Sequence, residues 1–364
     1  MVKQTEKDLF EPIDSTNNLT LKNRIVMAPM TRSRAINNIP NDLMAEYYGQ
    51  RTGAGLIITE GTAPMADGLG YPRIPGIFTE DQVEGWKNIT KSVHKDGSKF
   101  FVQLMHTGRI AHEDNVPAGG QIFAPSPIKA KGTMFTDTQG PQEHSTPKTF
   151  TTDDIKRTIR GHVKAAQNAM KAGFDGIEFH GANGYLTEQF LNPNSNQRED
   201  EYGGSIENRA EFPVETIQAI ADSIGADKVG IRISPYNTFN DQPAYDKDVV
   251  HKTYQYLAEE LDKIGIQYIH LSMVPDAPEK IYRTIRETFS GTIIQCNGLT
   301  PKTGLEALNG LADLVAFARN FLANPDLVKR IEQGAELNEP DPDTFYTTGP
   351  EGYVDYPTLN TETV

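Results

Sequence analysis

Eight short apolar runs alternate with amphipathic segments along this 364-residue chain, a pattern that predicts the α/β class and a (β/α)8 TIM barrel. The runs are RIVMAPM (24–30), GLIITEG (55–61), KFFVQLMH (99–106), GIEFHG (176–181), KVGIRIS (228–234), QYIHLS (267–272), TIIQCNG (292–298) and DLVAFAR (313–319), each ending in a polar residue or a glycine. Strand–helix–strand order implies parallel pairing through right-handed crossovers, and eight such units imply closure. The competing architecture is a doubly wound open sheet, but no GxGxxG follows any of the runs.

The helical segments fit between the strands. TEDQVEGWKNITKSVHKDG (79–97) has an acidic start and a closing glycine. TTDDIKRTIRGHVKAAQNAMKAG (151–173) opens with Thr152 as the expected cap and sets Ile155, Ile159, His162, Val163, Ala166, Ala169 and Met170 on one stripe. DVVHKTYQYLAEELDKIG (248–265) and NPDLVKRIEQG (324–334) repeat the scheme. One interval breaks the rhythm: residues 107–151, between strand 3 and helix 3, are rich in Gly, Pro, Thr and Asp. In a barrel, an insertion of that length is an excursion over the C-terminal face. The tail from 335 to 364 is polar but carries Phe345, Tyr346, Tyr353 and Tyr356, which predicts docking onto the barrel. A single domain over 1–364 is therefore expected, with 107–151 as its cap.

Composition narrows the partners. A formal charge of −14 disfavours nucleic acid and an anionic membrane surface, leaving a small molecule. No run approaches the ~20 apolar residues of a membrane helix, and MVKQTEKDLFEP lacks the apolar core of a secretory signal. A lone cysteine, Cys296, forms no internal disulfide and no cysteine zinc site; it is expected in the core. These features predict a cytoplasmic protein.

Barrel chemistry collects at the C-terminal ends of the strands. Those positions hold Thr31, Gly61, Gln103 with His106, His180, Arg232, Ser272, Asn297 with Gly298, and Arg319. No lysine ends a strand, which argues against a Schiff-base aldolase. Glu178 and His180 share a strand face but find no evident third ligand, so no metal is expected. Arg232 needs either an anionic ligand or a buried pair with Glu178. Arg319, closing strand 8, is either a phosphate contact or a rim salt-bridge residue. His106 lies on the opposite strand face from Gln103 and is expected to be structural. In FHGANGY, His180, Asn183 and Tyr185 suit turn chemistry as well as catalysis when taken singly.

Four segments change that balance. NRIVMAPMTRSRA, QLMHTGRIAH, FHGANGYLTEQFLNPNSNQREDEYGGSIENR and VAFARNFLANPDL occur in this order, followed by EGYVDYP in the tail. They resemble the signature segments of the Old Yellow Enzyme family, FMN-dependent, NAD(P)H-consuming ene-reductases on a TIM barrel, including its bacterial reductases of N-ethylmaleimide and nitrate esters.

The resemblance implies a role for each residue. Thr31 matches the threonine on the flavin's position-4 carbonyl. Pro29 and Gly61 match backbone that lines the flavin, and Gln103 the glutamine on its pyrimidine edge. Arg232 matches the arginine beside the flavin's first nitrogen. Asn297, Gly298, Ala318 and Arg319 fall where the family holds the FMN phosphate, with Ala318 replacing a usual glycine. His180 and Asn183 match the donor pair that grips the substrate oxygen, and Tyr185 the acid that protonates the α-carbon. Tyr71, Met105, Phe239 and Tyr346 border the substrate, with Met105 in place of a tryptophan found in several relatives. The implied activity is hydride transfer from NADPH or NADH, through FMN, to an electron-poor alkene conjugated to a carbonyl, nitro or imide group. Reduction of nitroesters or nitroaromatics on the same site is the alternative. A monomer or homodimer is expected.

Overall fold

In the computed structural model, which describes residues 8–14 and 19–359, eight parallel strands close into one barrel. The predicted domain's charged start at 1–7, residues 15–18 and the tail end at 360–364 lie outside the described residues. The barrel strands are β1 (Ile25–Met27), β2 (Leu56–Ile58), β3 (Lys99–Leu104), β4 (Gly176–Gly181), β5 (Val229–Ile233), β6 (Tyr268–Ser272), β7 (Thr292–Cys296) and β8 (Leu314–Phe317). Each pairs with its sequence neighbours, and β8 returns to β1. Helices α1 (Asp42–Gly49), α2 (Glu80–His94), α3 (Thr152–Ala172), α4 (Ile206–Ile224), α5 (Lys247–Ile264), α6 (Glu279–Thr288), α7 (Pro301–Leu308) and α8 (Leu327–Gln333) follow the strands in turn.

Both strand faces are buried, which is why the sequence reads as continuous apolar runs rather than alternating ones. Ile25, Ile57, Val102, Ile177, Ile231 and Ile293 point outward into the layer between strands and helices. Val26, Leu56, Ile58, Phe101, Tyr268, Ile294 and Leu314 fill the interior, joined by Leu19 and Leu21. Gly230 has a packing reason: a Cβ there would stand 2.2 Å from the ring of Tyr268, which needs that space to cross the interior.

Helix α3 begins one residue earlier than expected. Thr151, not Thr152, is its cap, because the Thr151 hydroxyl accepts from Asp154 N–H while the Asp154 carboxylate receives Thr151 N–H. Ile155, Ile159, His162, Ala166 and Ala169 are buried as the stripe requires; Val163 and Met170 are half-buried at its edge. His106 stacks on His162 with ring centroids 6.4 Å apart, facing the helix layer as the strand parity demands.

The excursion 107–151 contains an antiparallel hairpin, Thr133–Thr136 with Gly140–Glu143, and a short parallel pair, Phe123–Ala124 with Lys148–Thr149. The tail docks through Tyr353, which is buried and stacks on Tyr47 of α1 at 4.0 Å. Arg32 and Arg34 donate to tail carbonyls at Phe345, Gly352 and Thr344. Among the described residues no helix is long and apolar enough to cross a membrane.

Candidate active site

A cavity of about 870 Å³ opens above the C-terminal ends of the strands. Pro29, Thr31, Gly61, Gln103, Met105, His180 and Arg232 line it from the strand ends, and Tyr71, Asn183, Tyr185 and Phe239 from the loops. The excursion adds Met134, Phe135, Asp137 and His144, and the tail adds Tyr346. The excursion and tail therefore both reach the mouth. Arg73 ties them together: it pairs with Asp137 of the hairpin and donates to the Tyr346 carbonyl at 2.8 Å. Met105 packs so closely on Gly61 that a Cβ on the glycine would come within 2.5 Å of its thioether.

His180, Asn183 and Tyr185 are set by one turn. Asn183 has φ 58° and Gly184 φ 82°, so the chain reverses directly after β4. Asn183 N–H donates to Ser234 Oγ at 2.8 Å, and Asn240 Nδ2 donates to the Asn183 carbonyl at 2.8 Å. The Nδ1 of His180 accepts from Ala182 N–H at 3.2 Å, which leaves the proton on Nε2. Burial, with Arg232 and His270 adding repulsion, holds this imidazole well below its ordinary pKa, so it is neutral at pH 7. Its ring meets Tyr185 edge-on at 4.9 Å. The Tyr185 hydroxyl donates to Tyr71 Oη at 3.0 Å. Burial raises the Tyr185 pKa, against the opposing hydrogen bonds of Tyr71 and Asn240, so the phenol stays protonated.

The floor is polar, and among the described residues Arg232 Nε, His270 Nε2 and Tyr268 Oη have no hydrogen-bond partner there. Gln103 Nε2 donates to Glu178 Oε1 at 2.7 Å, and His270 Nδ1 lies 2.8 Å from Glu178 Oε2. The suggested pair of Glu178 with Arg232 does not form. Arg232, 6% exposed, instead offers Nη2 to Ser272 Oγ at 3.4 Å and Cys296 Sγ at 3.8 Å, and its Nε has no partner among the described residues. Cys296 is buried, as expected. A guanidinium held in an apolar barrel with no carboxylate calls for an anionic or acceptor-rich group above it. The anionic pyrimidine edge of a flavin fits that requirement.

Asn297, Gly298, Ala318 and Arg319 do not line this cavity. They lie at the ends of β7 and β8, on the same end of the barrel. Asn297 is left-handed at φ 85° and donates Nδ2 to Ser272 Oγ at 2.9 Å. Ala318 has φ −100°, a value that does not require the glycine usual there. The Arg319 side chain is exposed and has no hydrogen-bond or ion-pair partner among the described residues, so the rim salt bridge is not present.

Sequence reasoning missed Glu188. Its buried carboxylate receives Gly184 N–H at 2.6 Å, Asn237 Nδ2 at 3.0 Å, Tyr254 Oη at 3.1 Å and Ser234 Oγ at 3.2 Å. Gln189 adds a bond from Nε2 to the Gly184 carbonyl at 2.8 Å. The available signal was two adjacent polar residues inside the apolar YLTEQFL, whose helix Leu186–Leu191 is buried throughout.

A (β/α)8 barrel with neutral donors on the wall of its mouth and an uncompensated guanidinium in its floor is of the class that seats an anionic organic cofactor above its strands. The chain belongs to the NADH:flavin oxidoreductase / NADH oxidase family, whose model matches residues 8–338, and within it to the Old Yellow Enzyme type. It is 41% identical to the putative 12-oxophytodienoate reductase 5 of Oryza sativa subsp. japonica, over 99% of this chain and 97% of that protein. It is 42% identical to 12-oxophytodienoate reductase 1 of the same plant, over 94% and 90%. Among solved structures, morphinone reductase superposes with a TM-score of 0.93 at 40% identity, covering 99% of this chain and 98% of that one. The old yellow enzyme homologue of Zymomonas mobilis gives 0.92 at 37%, covering 97% and 100%.

Proposed function

We propose that the chain is one FMN-binding domain whose cavity reduces activated C=C bonds at the expense of NADPH or NADH, with 107–151 and the tail as its cap. The observation that carries this reading is the sharing of one cavity by neutral His180, Asn183, protonated Tyr185 and the uncompensated Arg232. Family membership supports it, as does the likeness to morphinone reductase, solved in complex with tetrahydroNAD.

Bound FMN supplies storage of a hydride between the nicotinamide and the alkene β-carbon. The remaining work falls to the chain. Arg232 and Gln103 meet the pyrimidine edge, Thr31 and the backbone at Pro29 and Gly61 line the ring, and Asn297, Gly298, Ala318 and Arg319 receive the phosphate. His180 Nε2–H and the Asn183 amide grip the substrate's carbonyl, nitro or imide oxygen and stabilise the enolate-like charge that grows there. Tyr185 delivers its proton to the α-carbon. Tyr71, Met105, Phe239 and Tyr346 shape the pocket. The acidic, single-cysteine composition supports a cytoplasmic location.

The test is a visible spectrum of the purified protein, followed by NADPH without oxygen and then 2-cyclohexenone. A yellow protein that bleaches and regains colour with the enone is expected. A protein that takes up no flavin on reconstitution overturns the reading; one that recovers only with a nitrate ester favours the nitro-reducing alternative.

A further inference from the structure

Glu178 is fully buried and plays no part in the mechanism above, yet it sits directly beneath the cavity. Its neighbours follow from the register. Glu178 of β4 lies opposite Gln103 of β3, while on its other side Gly230 of β5 offers no side chain. The carboxylate is therefore divided between Gln103 Nε2, at 2.7 Å, and His270 Nδ1, at 2.8 Å. The carboxylate oxygen accepts this bond, so the end of the Gln103 amide that faces it is the NH2. The amide oxygen is thereby turned away from Glu178, on a side chain that lines the cavity.

We propose that Glu178 is a positioning residue for the cofactor: with His270 holding its other oxygen, it locks the Gln103 amide oxygen-upward, so that the cavity floor presents an acceptor to the flavin N3–H. This inference rests on the FMN reading and deepens it. The pyrimidine edge of an isoalloxazine offers one donor, N3–H, between two carbonyl acceptors. An oxygen-upward glutamine satisfies that donor, whereas a nitrogen-upward one sets donor against donor in a buried site. The His270 partnership matters for the same reason: it occupies the second carboxylate oxygen, so that Glu178 does not pair with Arg232, whose charge stays available to the cofactor. Burial opposes the charged form of His270, but Glu178 and the Cys296 side chain together outweigh it and raise the imidazole pKa.

The test compares equilibrium binding of FMN and 3-methyl-FMN, which lacks the N3–H, to the full chain stripped of flavin. Wild type is expected to prefer FMN by about tenfold or more, the worth of a buried hydrogen bond and of the Gln103 acceptor left unmet without it. Glu178→Gln, isosteric and able to face Gln103 with either end of its amide, is expected to lower that preference severalfold. Glu178→Met, with no acceptor, brings it close to unity. A loss of packing alone weakens both flavins equally and leaves the ratio untouched. An unchanged ratio in Glu178→Gln therefore overturns the proposal even where Glu178→Met does not fold, as does a wild type that binds both flavins alike. A wild type that binds neither flavin overturns the FMN reading itself.

Discussion

Glu188 accepts the backbone N–H of Gly184 at 2.6 Å, and through Ser234 it also supports the N–H of Asn183. The turn that carries His180, Asn183 and Tyr185 thus hangs on one buried carboxylate. Burial pushes that carboxyl up to about 7, although four donors converge on it. A folded-state value above the unfolded value of 4.5 means the native chain keeps a proton that the unfolded chain has released. Its contribution to stability is full below that unfolded value and is lost as pH rises through about 7. At ~1.4 kcal/mol per unit, this amounts to roughly 2 to 3 kcal/mol between pH 5 and 8. Glu60, also pushed up to about 7, adds a share in the same window. Urea unfolding at the two pH values should show a smaller loss in Glu188→Gln than in wild type. Equal losses would remove Glu188 from the account.

The Tyr185 hydroxyl is aimed at Tyr71 and kept protonated by burial. Tyr185→Phe should leave reduction by NADPH unchanged in anaerobic stopped flow. Oxidation by 2-cyclohexenone should slow by about 10² to 10⁴-fold, the usual worth of a positioned acid. Equal loss in both half-reactions would sink the proton-donor role.

His180 is neutral with its proton on Nε2, and Asn183 does not titrate. The Kd for a phenolate-free carbonyl ligand should therefore stay flat from about pH 6 to 8, because no donor to the ligand oxygen changes charge there. His180→Ala should weaken both nicotinamide and enone binding by about tenfold, the loss of one hydrogen bond. A Kd that follows an ionisation near 6.5 and keeps doing so in Glu188→Gln, which removes the carboxyl beneath the turn, would contradict the neutral assignment.

The barrel was legible because strands buried on both faces are written as unbroken apolar runs, and strand ends such as His180 and Arg232 can be counted off without knowing their neighbours. What could not be read was lateral. From the sequence, a buried pair with Arg232 was one of two alternatives; the register gives Glu178 Gln103 and His270 instead, residues 75 and 92 positions away. The hairpin at Thr133–Thr136 escaped for a different reason. Its strands are four residues each, set in a polar loop and fixed by packing over the cavity rather than by propensity.

The tail separates anchoring from recognition within a few residues. Tyr353 is buried, stacked on Tyr47 with ring planes 7° apart, and lies under the Arg32 and Arg34 guanidiniums at 5.1 and 4.7 Å. Tyr346 is 61% exposed and faces the cavity mouth. Tyr353→Ala empties a packed site and should cost about 3 to 5 kcal/mol in unfolding free energy. Because Arg34 is held by the Thr344 and Phe345 carbonyls, that loss should also free the segment bearing Tyr346 and raise KM for the alkene. Tyr346→Ala, by contrast, should leave stability within about 0.5 kcal/mol while still changing KM, since an exposed side chain contributes little to the fold. Melting curves and enone KM for the two variants decide the matter: a Tyr346→Ala protein that melts as early as Tyr353→Ala would mean that the mouth aromatic, and not the buried one, holds the tail.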